Sequence, residues 1–318
     1  MIYIKPTVVV SRCLSFAPCR YDGQMLADPF IELLKKHVTV CTICPEMDLG
    51  LGVPREPICL IYDNDLLRLY QPATKKDLTE RAAIYTQNTL AKLTNVQGYI
   101  LKRASPSCAI KDAKVYASNK SGVIKKGPGF FAREIKPGIP IEDEARLTNL
   151  TIREKFLIAI YTLADFAQVK KSERMQELVD FQSRNKLLLM ALSEKNMRTM
   201  GKLVANEAKL PIDFLLAEYE EYLKIALQKN IRRGPAINVM QHAFGYFSNY
   251  LNQQEKTFFI DSIEKYRKGQ IPLSSLQMLL GSYIARFGEP YLGTQSFFNP
   301  YPEALVSLQD TGKGREVE

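Results

Sequence analysis

Three cysteines stand in short tracts that combine a thiol with polar or titratable neighbours. They are Cys13 in residues 11–14, Cys44 in the tripeptide Cys-Pro-Glu at 44–46, and Cys108 in residues 105–108. Each tract follows a run typical of a buried strand, at 7–10, 38–40 and 97–101. Because the carboxyl ends of parallel strands meet at one edge of a sheet, we expect the three thiols to lie close together. Three thiolates there can hold a metal centre and leave one coordination position open for chemistry.

Simple burial is the alternative explanation, because a free cysteine packs well at the buried end of a strand. The flanking residues favour chemistry. The tripeptide Arg20-Tyr21-Asp22 after the first tract, Glu46 beside Cys44, and the two serines before Cys108 are groups that a packing role does not require.

The other three cysteines carry weaker signals. Cys41 and Cys44 form a C-x-x-C pair, which is typical of redox chemistry or half of a zinc site. In a strand over 38–43, however, the two side chains point to opposite faces, so we interpret Cys41 as core. Cys59 lies in an apolar strand and is also interpreted as core, whereas the role of Cys19 stays open.

Composition limits the classes of protein and of mechanism. The chain has 318 residues, 46% of them hydrophobic and 24% charged, which is typical of a globular protein with two domains. Its two histidines argue against a histidine-dependent triad and exclude a histidine-rich metal cluster. The net charge of +9 favours a polyanionic partner such as nucleic acid. The alternative is a solvated basic surface, since the excess is modest and spread along the chain.

The pattern of elements changes near residue 150. Residues 1–150 alternate strand-like and helix-like runs, including a hairpin at 58–62 and 66–70, so we predict an α/β domain with a mostly parallel sheet. The glycine turn at 127–129 is expected to open a helix there. Residues 151–318 read as an all-α domain that begins with a capping box at Thr151 and Glu154.

The N-terminus and the hydropathy predict a cytoplasmic protein with no membrane partner. Residues 1–6 lack the pattern of a signal peptide, and no apolar run approaches about 18 residues. In the cytosol the six cysteines are expected to be reduced, which favours metal binding or reactivity over disulfides.

Four motifs in order resemble the thiouracil desulfidases (TudS). They are Ser-x-Cys-Leu at 11–14, Arg-Tyr-Asp-Gly at 20–23, Cys-Pro-Glu at 44–46 with Gly-x-Gly-x-Pro-Arg at 50–55, and Leu-Lys-x-x-Ser-Pro-Ser-Cys at 101–108. The second half, with Arg184, Lys186, Met190 and residues 238–247, is similar to the helical domain of the YbgA-like proteins. The fused arrangement resembles the RudS group, desulfidases of 4-thiouridine in transfer RNA.

The resemblance implies a [4Fe-4S] cluster on Cys13, Cys44 and Cys108, with a fourth iron that is open to the substrate sulfur. It implies hydrolytic cleavage of a C–S bond, with Glu46 and Ser105 as the catalytic residues. We assign substrate binding to four further residues of these motifs, Arg20, Tyr21, Asp22 and Ser107.

The chain departs from the family pattern at several positions. Ser15 and Phe16 follow Cys-Leu where the family has Leu-Gly, and Ala109 replaces a glycine. In the helical domain, Gln182, Asn185 and Leu192 stand where the family usually has histidines.

Three functions therefore remain open. The first is a desulfidase of 4-thiouridine in tRNA, with the helical domain binding the RNA. The second is a desulfidase of free thiouracil. The third is an RNA-binding or regulatory protein that carries a metal and has no enzymatic activity.

Overall fold

The computed structural model describes residues 3–63, 66–117, 122–307 and 310. The chain forms two compact units, one of residues 4–164 with the segment that starts at Ala304, and one of residues 165–303 with Tyr3. The first unit is α/β and the second is helical, which confirms the predicted fold class. The division between the units falls inside a helix. The boundary predicted at 150/151 from the change in sequence pattern stays a prediction.

Among its described residues, the α/β unit contains nine strands, three complete α-helices and the first part of a fourth. The strands are β1 (Thr7–Ser11), β2 (Thr39–Ile43), β3 (Cys59–Asp63), β4 (Leu66–Gln71), β5 (Lys76–Asp77), β6 (Gly98–Leu101), β7 (Ala113–Ala117), β8 (Val123–Gly127) and β9 (Ile141–Asp143). The helices are α1 (Pro29–Leu34), α2 (Pro45–Asp48) and α3 (Thr79–Lys92).

A four-stranded parallel sheet in the order β2-β1-β6-β9 positions the cysteine tracts. The two central strands, β1 and β6, are short apolar runs that are buried along most of their length, as is typical of parallel sheets. On one face, Val9, Tyr99 and Leu101 pack with residues of α3 and with Phe131. Because the strands run in the same direction, the residues that follow β1, β2 and β6 all emerge at one edge.

A second sheet follows the order β5-β4-β3-β7-β8. The predicted hairpin is β3–β4, which is antiparallel, and β3 pairs in parallel with β7. The prediction that the glycine turn at 127–129 opens a helix is wrong. Residues 123–127 form β8, antiparallel to β7, and only a short 3₁₀ helix (Ala132–Glu134) follows.

The helical region consists of α4 (Leu150–Ser172), α5 (Met175–Ala205), α6 (Ile212–Leu227), α7 (Arg233–Gly245), α8 (Gln253–Arg267), α9 (Leu273–Phe287) and α10 (Pro290–Gly293). Helix α4 begins before Thr151, and the amide of Ile152 bonds to the Asn149 side chain at 3.1 Å, so Asn149 supplies the cap. Among the described helices, none has the length and apolar character needed to cross a membrane.

The first part of α4 belongs to the α/β unit. A Cβ atom on Gly98 of β6 would lie 2.7 Å from Ile160 and 3.1 Å from Phe156, so glycine allows the helix to approach the strand closely. The Tyr161 hydroxyl also donates to the carbonyl of His37 at 3.1 Å. These contacts explain why the division between the units falls after Ala164.

Candidate active site

The edge where β1, β2 and β6 end borders a cavity of about 450 Å³. Its wall takes residues from the loops after these strands and from the loop that precedes β3. The lining residues are Cys13, Cys19, Arg20, Tyr21, Cys44, Glu46, Arg55, Pro57, Ile58, Lys102, Arg103, Ala104, Ser105 and Pro106. The volume is within the range that small-molecule sites occupy.

The three predicted thiols lie near one another at this edge, and all three are buried. Burial raises the pKa of Cys13 to about 12, with a further contribution from the nearby Cys44. Burial also raises the pKa of Cys108 well above its usual value, and Cys13 and Cys44 act in the same direction. Cys13 and Cys44 line the cavity, whereas Cys108 lies behind its wall.

The loop that carries Cys108 is held by Ser105. The Ser105 hydroxyl accepts the backbone N–H of Ser107 at 3.2 Å and that of Cys108 at 3.1 Å. Gly129 packs directly behind this loop: a Cβ there would lie 2.5 Å from the Ser107 carbonyl carbon and 2.8 Å from the Cys108 nitrogen. The glycine therefore permits a close backbone contact that fixes where Cys108 sits.

Glu46 lies in α2, directly after Cys44, and forms a buried ion pair with Arg55. The Arg55 Nε donates to Glu46 Oε2 at 3.0 Å, and its Nη2 also contacts Oε2. The Arg55 side chain is only 3% exposed and its Nη1 donates to the carbonyls of Cys19 and Gly52, at 3.1 and 2.9 Å. Arg55 thus ties the carboxylate to the loop that carries Cys19.

The second carboxylate oxygen of Glu46 faces the cysteine loop. The hydroxyls of Ser105 and Ser107 each donate to Oε1 at 3.3 Å. With Oε2 engaged by Arg55 and Oε1 on the serines, the carboxylate has a defined orientation beside the thiols. Such a fixed, partly buried carboxylate suits proton transfer.

A second ion pair borders the cavity. Lys102, directly after β6, contacts the Glu144 carboxylate, and Glu144 also accepts the backbone N–H of Arg103 at 2.9 Å. The Ser11 hydroxyl accepts the backbone N–H of Lys102 at 2.9 Å, which links the ends of β1 and β6.

The four predicted substrate-binding residues are placed differently. Arg20 and Tyr21 line the cavity. Asp22 does not line it and instead pairs with Arg20 at 3.4 Å. Ser107 is buried and contacts Glu46. Their assignment to substrate stays a prediction.

The other cysteines have distinct environments. Cys41 is only partly buried but packs against the apolar cluster on β1 and β6, so the prediction that it is core is confirmed only in part. The prediction for Cys59 is wrong: it is only partly buried and lines a second, shallower cavity, because its side chain points away from the core that its strand neighbour Leu60 enters. Cys19 lines the main cavity, and the Cys44 thiol donates to its carbonyl at 3.9 Å. Burial and the neighbouring Cys44 raise the pKa of Cys19 to about 12.

Arg55 and Lys102 are site residues whose ion pairs, with Glu46 and Glu144, were not predicted from the sequence. The arginine closes the Gly-x-Gly-x-Pro-Arg motif, and that position was the available signal. Among the described residues, no group of three or more histidine, cysteine, aspartate or glutamate side chains is arranged to hold a metal ion.

Two sequence profiles match the chain, one in each half. The profile of the 2-thiouracil desulfurase family matches residues 8–144. A relative from Bacillus subtilis (strain 168), the uncharacterized protein YbbK, is 33% identical over 151 residues, which is 45% of this chain and 99% of YbbK. The chain belongs to the 2-thiouracil desulfurase family. The resemblance of the first half to TudS-like proteins is thereby confirmed.

The second half matches a protein family of unknown function, DUF1722, over residues 186–302. The uncharacterized protein YbgA of Escherichia coli (strain K12) is 27% identical over 158 residues, which is 49% of this chain and 93% of YbgA. A solved structure, the [4Fe-4S]-dependent thiouracil desulfidase TudS, is 27% identical with a TM-score of 0.36, over 45% of this chain and 93% of that one. The predicted pairing of a TudS-like with a YbgA-like region is confirmed.

Within the helical unit, amides replace the expected histidines and bond internally. The Tyr219 hydroxyl donates to Gln182 Oε1 at 2.5 Å, and Gln182 Nε2 donates to the carbonyl of Met197 at 3.4 Å. Asn185 Nδ2 donates to the carbonyl of Phe181 at 3.0 Å. Leu192 is buried. These three side chains serve packing in this chain.

The contact behind the Cys108 loop makes Gly129 sensitive to any added side chain. Replacing Gly129 with Ala should lower the free energy of unfolding by about 1–3 kcal/mol, because the Cβ displaces the backbone at Ser107. Gly127→Ala is the matched control, since a Cβ there meets nothing within 4 Å. Urea denaturation of both variants measures the difference, and equal stabilities would contradict the close approach.

Removing one partner of the buried Glu46–Arg55 ion pair should lower the stability of the protein strongly. Arg55→Gln should destabilise the protein by about 3 kcal/mol, because it leaves a carboxylate unpaired at a largely buried position. Arg12→Gln is the control. It breaks an ion pair to Asp48 whose side chains are 31% and 30% exposed, and it should cost less than about 1 kcal/mol. Urea denaturation that ranks the two variants equally would show that burial does not strengthen the Arg55 pair.

Proposed function

We propose that the protein is a [4Fe-4S]-dependent desulfidase that hydrolyses the C–S bond of a thiolated pyrimidine, with 4-thiouridine in tRNA as the preferred substrate. The observation that carries the proposal is the convergence of Cys13, Cys44 and Cys108 with Glu46 at one edge of a parallel sheet, beside a cavity. The match of residues 8–144 to the 2-thiouracil desulfurase family supports it.

The donor set fits an iron–sulfur cluster. Cys13, Cys44 and Cys108 are soft sulfur ligands, and each comes from a different loop at the same edge. The three thiols would hold this multinuclear cluster rather than a single metal ion. Their buried position requires a cationic partner before all three can ionise, because uncompensated buried charges are costly.

When bound, the cluster would supply a thiophilic Lewis acid for the thiocarbonyl sulfur. The side chains of the protein transfer the proton and orient the groups that do so. Glu46 Oε1 accepts a proton from the attacking water as the water oxygen bonds to the ring carbon. Glu46 returns this proton to the sulfur as the C–S bond breaks, so that the sulfur leaves as HS⁻. The second proton of the water, on the new hydroxyl group of the ring carbon, is released as the carbonyl forms and completes hydrogen sulfide. The net reaction converts C=S and water to C=O and hydrogen sulfide without net electron transfer.

Two further sets of contacts support this role for Glu46. Arg55 holds Oε2, so that Oε1 faces the cavity side where the serines lie. Ser105 joins the carboxylate to the Cys108 loop, since its hydroxyl contacts both. We therefore assign Glu46 as general base and acid, and Ser105 as the residue that orients it.

The cavity wall suits a planar base that is part of a polyanionic strand. Tyr21 offers an aromatic ring. Arg20, Lys102 and Arg103 also line the wall, and each is in an ion pair, with Asp22, Glu144 and Asp112 respectively. A base inside folded RNA must first leave its stack, at a cost of about a few kcal/mol. Contacts to the RNA backbone would offset this cost, and the net charge of +9 is consistent with them.

We assign RNA binding to the helical domain as part of this proposal. Arg232 and Arg233 stand at the start of α7, and Lys171 is exposed near the end of α4. Free thiouracil as substrate, and a metal-bearing RNA-binding or regulatory protein without activity, are the alternatives that the following experiments separate.

The cluster ligands can be tested by metal analysis. Alanine at Cys13, Cys44 or Cys108 should abolish most of the bound iron and acid-labile sulfide of anaerobically purified protein. Cys41→Ala is the control, because Cys41 packs in an apolar cluster away from the cavity. Cys19→Ala should retain the cluster. A loss of iron in this variant equal to the other three would make Cys19 a ligand, and a zinc-loaded, colourless wild type would exclude the cluster.

The role of Glu46 can be tested by turnover. Glu46→Gln should lower kcat by about 10²–10⁴-fold while iron content stays unchanged, because the amide keeps the shape but cannot accept the proton. The assay uses free thiouracil and 4-thiouridine in tRNA as separate substrates. A higher kcat/KM for the tRNA is expected.

Each other result of the turnover assay has a definite meaning. Activity on free thiouracil alone would select the second function. An iron-loaded wild type that converts neither substrate would leave a non-enzymatic protein as the better description. Full activity of Glu46→Gln would remove this residue from the mechanism.

A further inference from the structure

A second cavity of about 330 Å³ adjoins the main one. The two share part of their walls, an uncharged rim formed by Pro57, Ile58, Ala104 and Pro106. The rest of the second cavity is formed by Cys59, Lys114 and Tyr116. A ligand that fills the main cavity can therefore continue over this rim without leaving the surface of the α/β unit.

Strand alternation explains which side chains reach the second cavity. Ala113 and Val115 of β7 enter the apolar core of the α/β unit, so Lys114 and Tyr116 point to the opposite face. Lys126 of β8 is directly opposite Lys114 in the antiparallel pair and therefore shares that face. One face of the sheet thus carries an aromatic ring with two ammonium groups beside the rim.

The two lysines are not neutralised within the described part of the chain. In residues 3–63, 66–117, 122–307 and 310, the side chains of Lys114 and Lys126 form no hydrogen bond and no ion pair. Like charges directly opposite each other in a sheet are destabilising, so an anion bound between them would relieve their repulsion. Arg68 on the same face differs, since Asp63 and Asp77 pair with it at 3.3 and 2.8 Å.

We propose that this face is a subsite for the nucleotide next to the thiolated base, with Lys114 and Lys126 on the phosphodiester and Tyr116 stacked on the neighbouring base. The subsite rests on the proposed function, because it assigns a polynucleotide strand to the same catalytic cavity. We name the three side chains the lysine–tyrosine subsite.

Three features favour a nucleic acid strand as the ligand. The rim is continuous with the catalytic cavity, the two cations have no acidic partner among the described residues, and Tyr116 offers a ring for base stacking. Single-stranded nucleic acids are bound by this combination of positive charge and aromatic side chains. A free thiobase would fill only the main cavity and would not reach the lysines.

The binding test uses the full, iron-loaded protein and an unmodified single-stranded oligoribonucleotide carrying a fluorescent label. Anisotropy titrations at several salt concentrations give the slope of log Kd against log salt. The double variant Lys114→Gln/Lys126→Gln should lower the magnitude of this slope by about 0.7, because the two lysines together neutralise one phosphate.

A matched double variant controls for net charge. Lys92→Gln/Lys136→Gln removes the same two charges from exposed positions in the α/β unit that line neither cavity. It should leave the slope close to that of the wild type. Tyr116→Leu should weaken binding about tenfold with little change of slope, whereas Tyr116→Phe keeps the ring and should restore the affinity.

Turnover separates a subsite from a structural effect. The Lys114/Lys126 double variant should lower kcat/KM for an oligoribonucleotide that contains 4-thiouridine by about tenfold or more. It should leave kcat/KM for free 4-thiouracil unchanged, because the free base does not touch the lysines. An equal loss on both substrates would show that the lysines act through the fold and would overturn the subsite.

Failure of the subsite and failure of the proposed function give different results. A slope that changes no more in the Lys114/Lys126 variant than in the control overturns the subsite, whatever the activity. A wild type that binds the oligoribonucleotide through the subsite but converts no thiolated substrate overturns the desulfidase and leaves the subsite standing.

Discussion

Buried thiols that share one sheet edge impose the main physical constraint on this protein. Cys44 contributes to the raised pKa of Cys13, Cys13 and Cys44 both contribute to the raised pKa of Cys108, and all three thiols are buried. Ionising them together requires positive charge at that point, which neither bulk water nor a distant cation supplies. The two carboxylates beside the thiols are paired with cations: Arg55 pairs with Glu46, and Lys102 pairs with Glu144. On ionisation, only the thiols would lack a compensating positive charge, and a cationic cofactor would supply it.

The sequence was informative where local patterns decide the structure. Apolar runs ending at 10, 40 and 101 identified the strands, and their parallel order followed from the helices between them. The antiparallel hairpin was signalled by the polar tripeptide between two apolar runs. These features depend on neighbours in the sequence, so a single chain suffices to predict them.

Other features depend on partners far away in the sequence and could not be predicted. The glycine turn at 127–129 resembles a helix start, but Gly129 is used for close packing on the Ser107 backbone. Cys59 lies in an apolar run, yet only the pairing of β3 with β4 and β7 determines which face is core. The role of Arg55 depends on a loop that folds back onto Glu46. The motif identified the arginine but not its partner.

Helix α4 links the change in sequence pattern to the packing of the chain. The pattern becomes purely helical at residue 150, whereas Phe156 and Ile160 still cover Gly98 of the parallel sheet. A polypeptide that ends at residue 150 would leave this apolar strand surface open to solvent and inclined to self-associate. A polypeptide that ends after Ala164 would keep the helical residues that cover this surface. The smallest stable version of the α/β half is therefore longer than its motifs indicate.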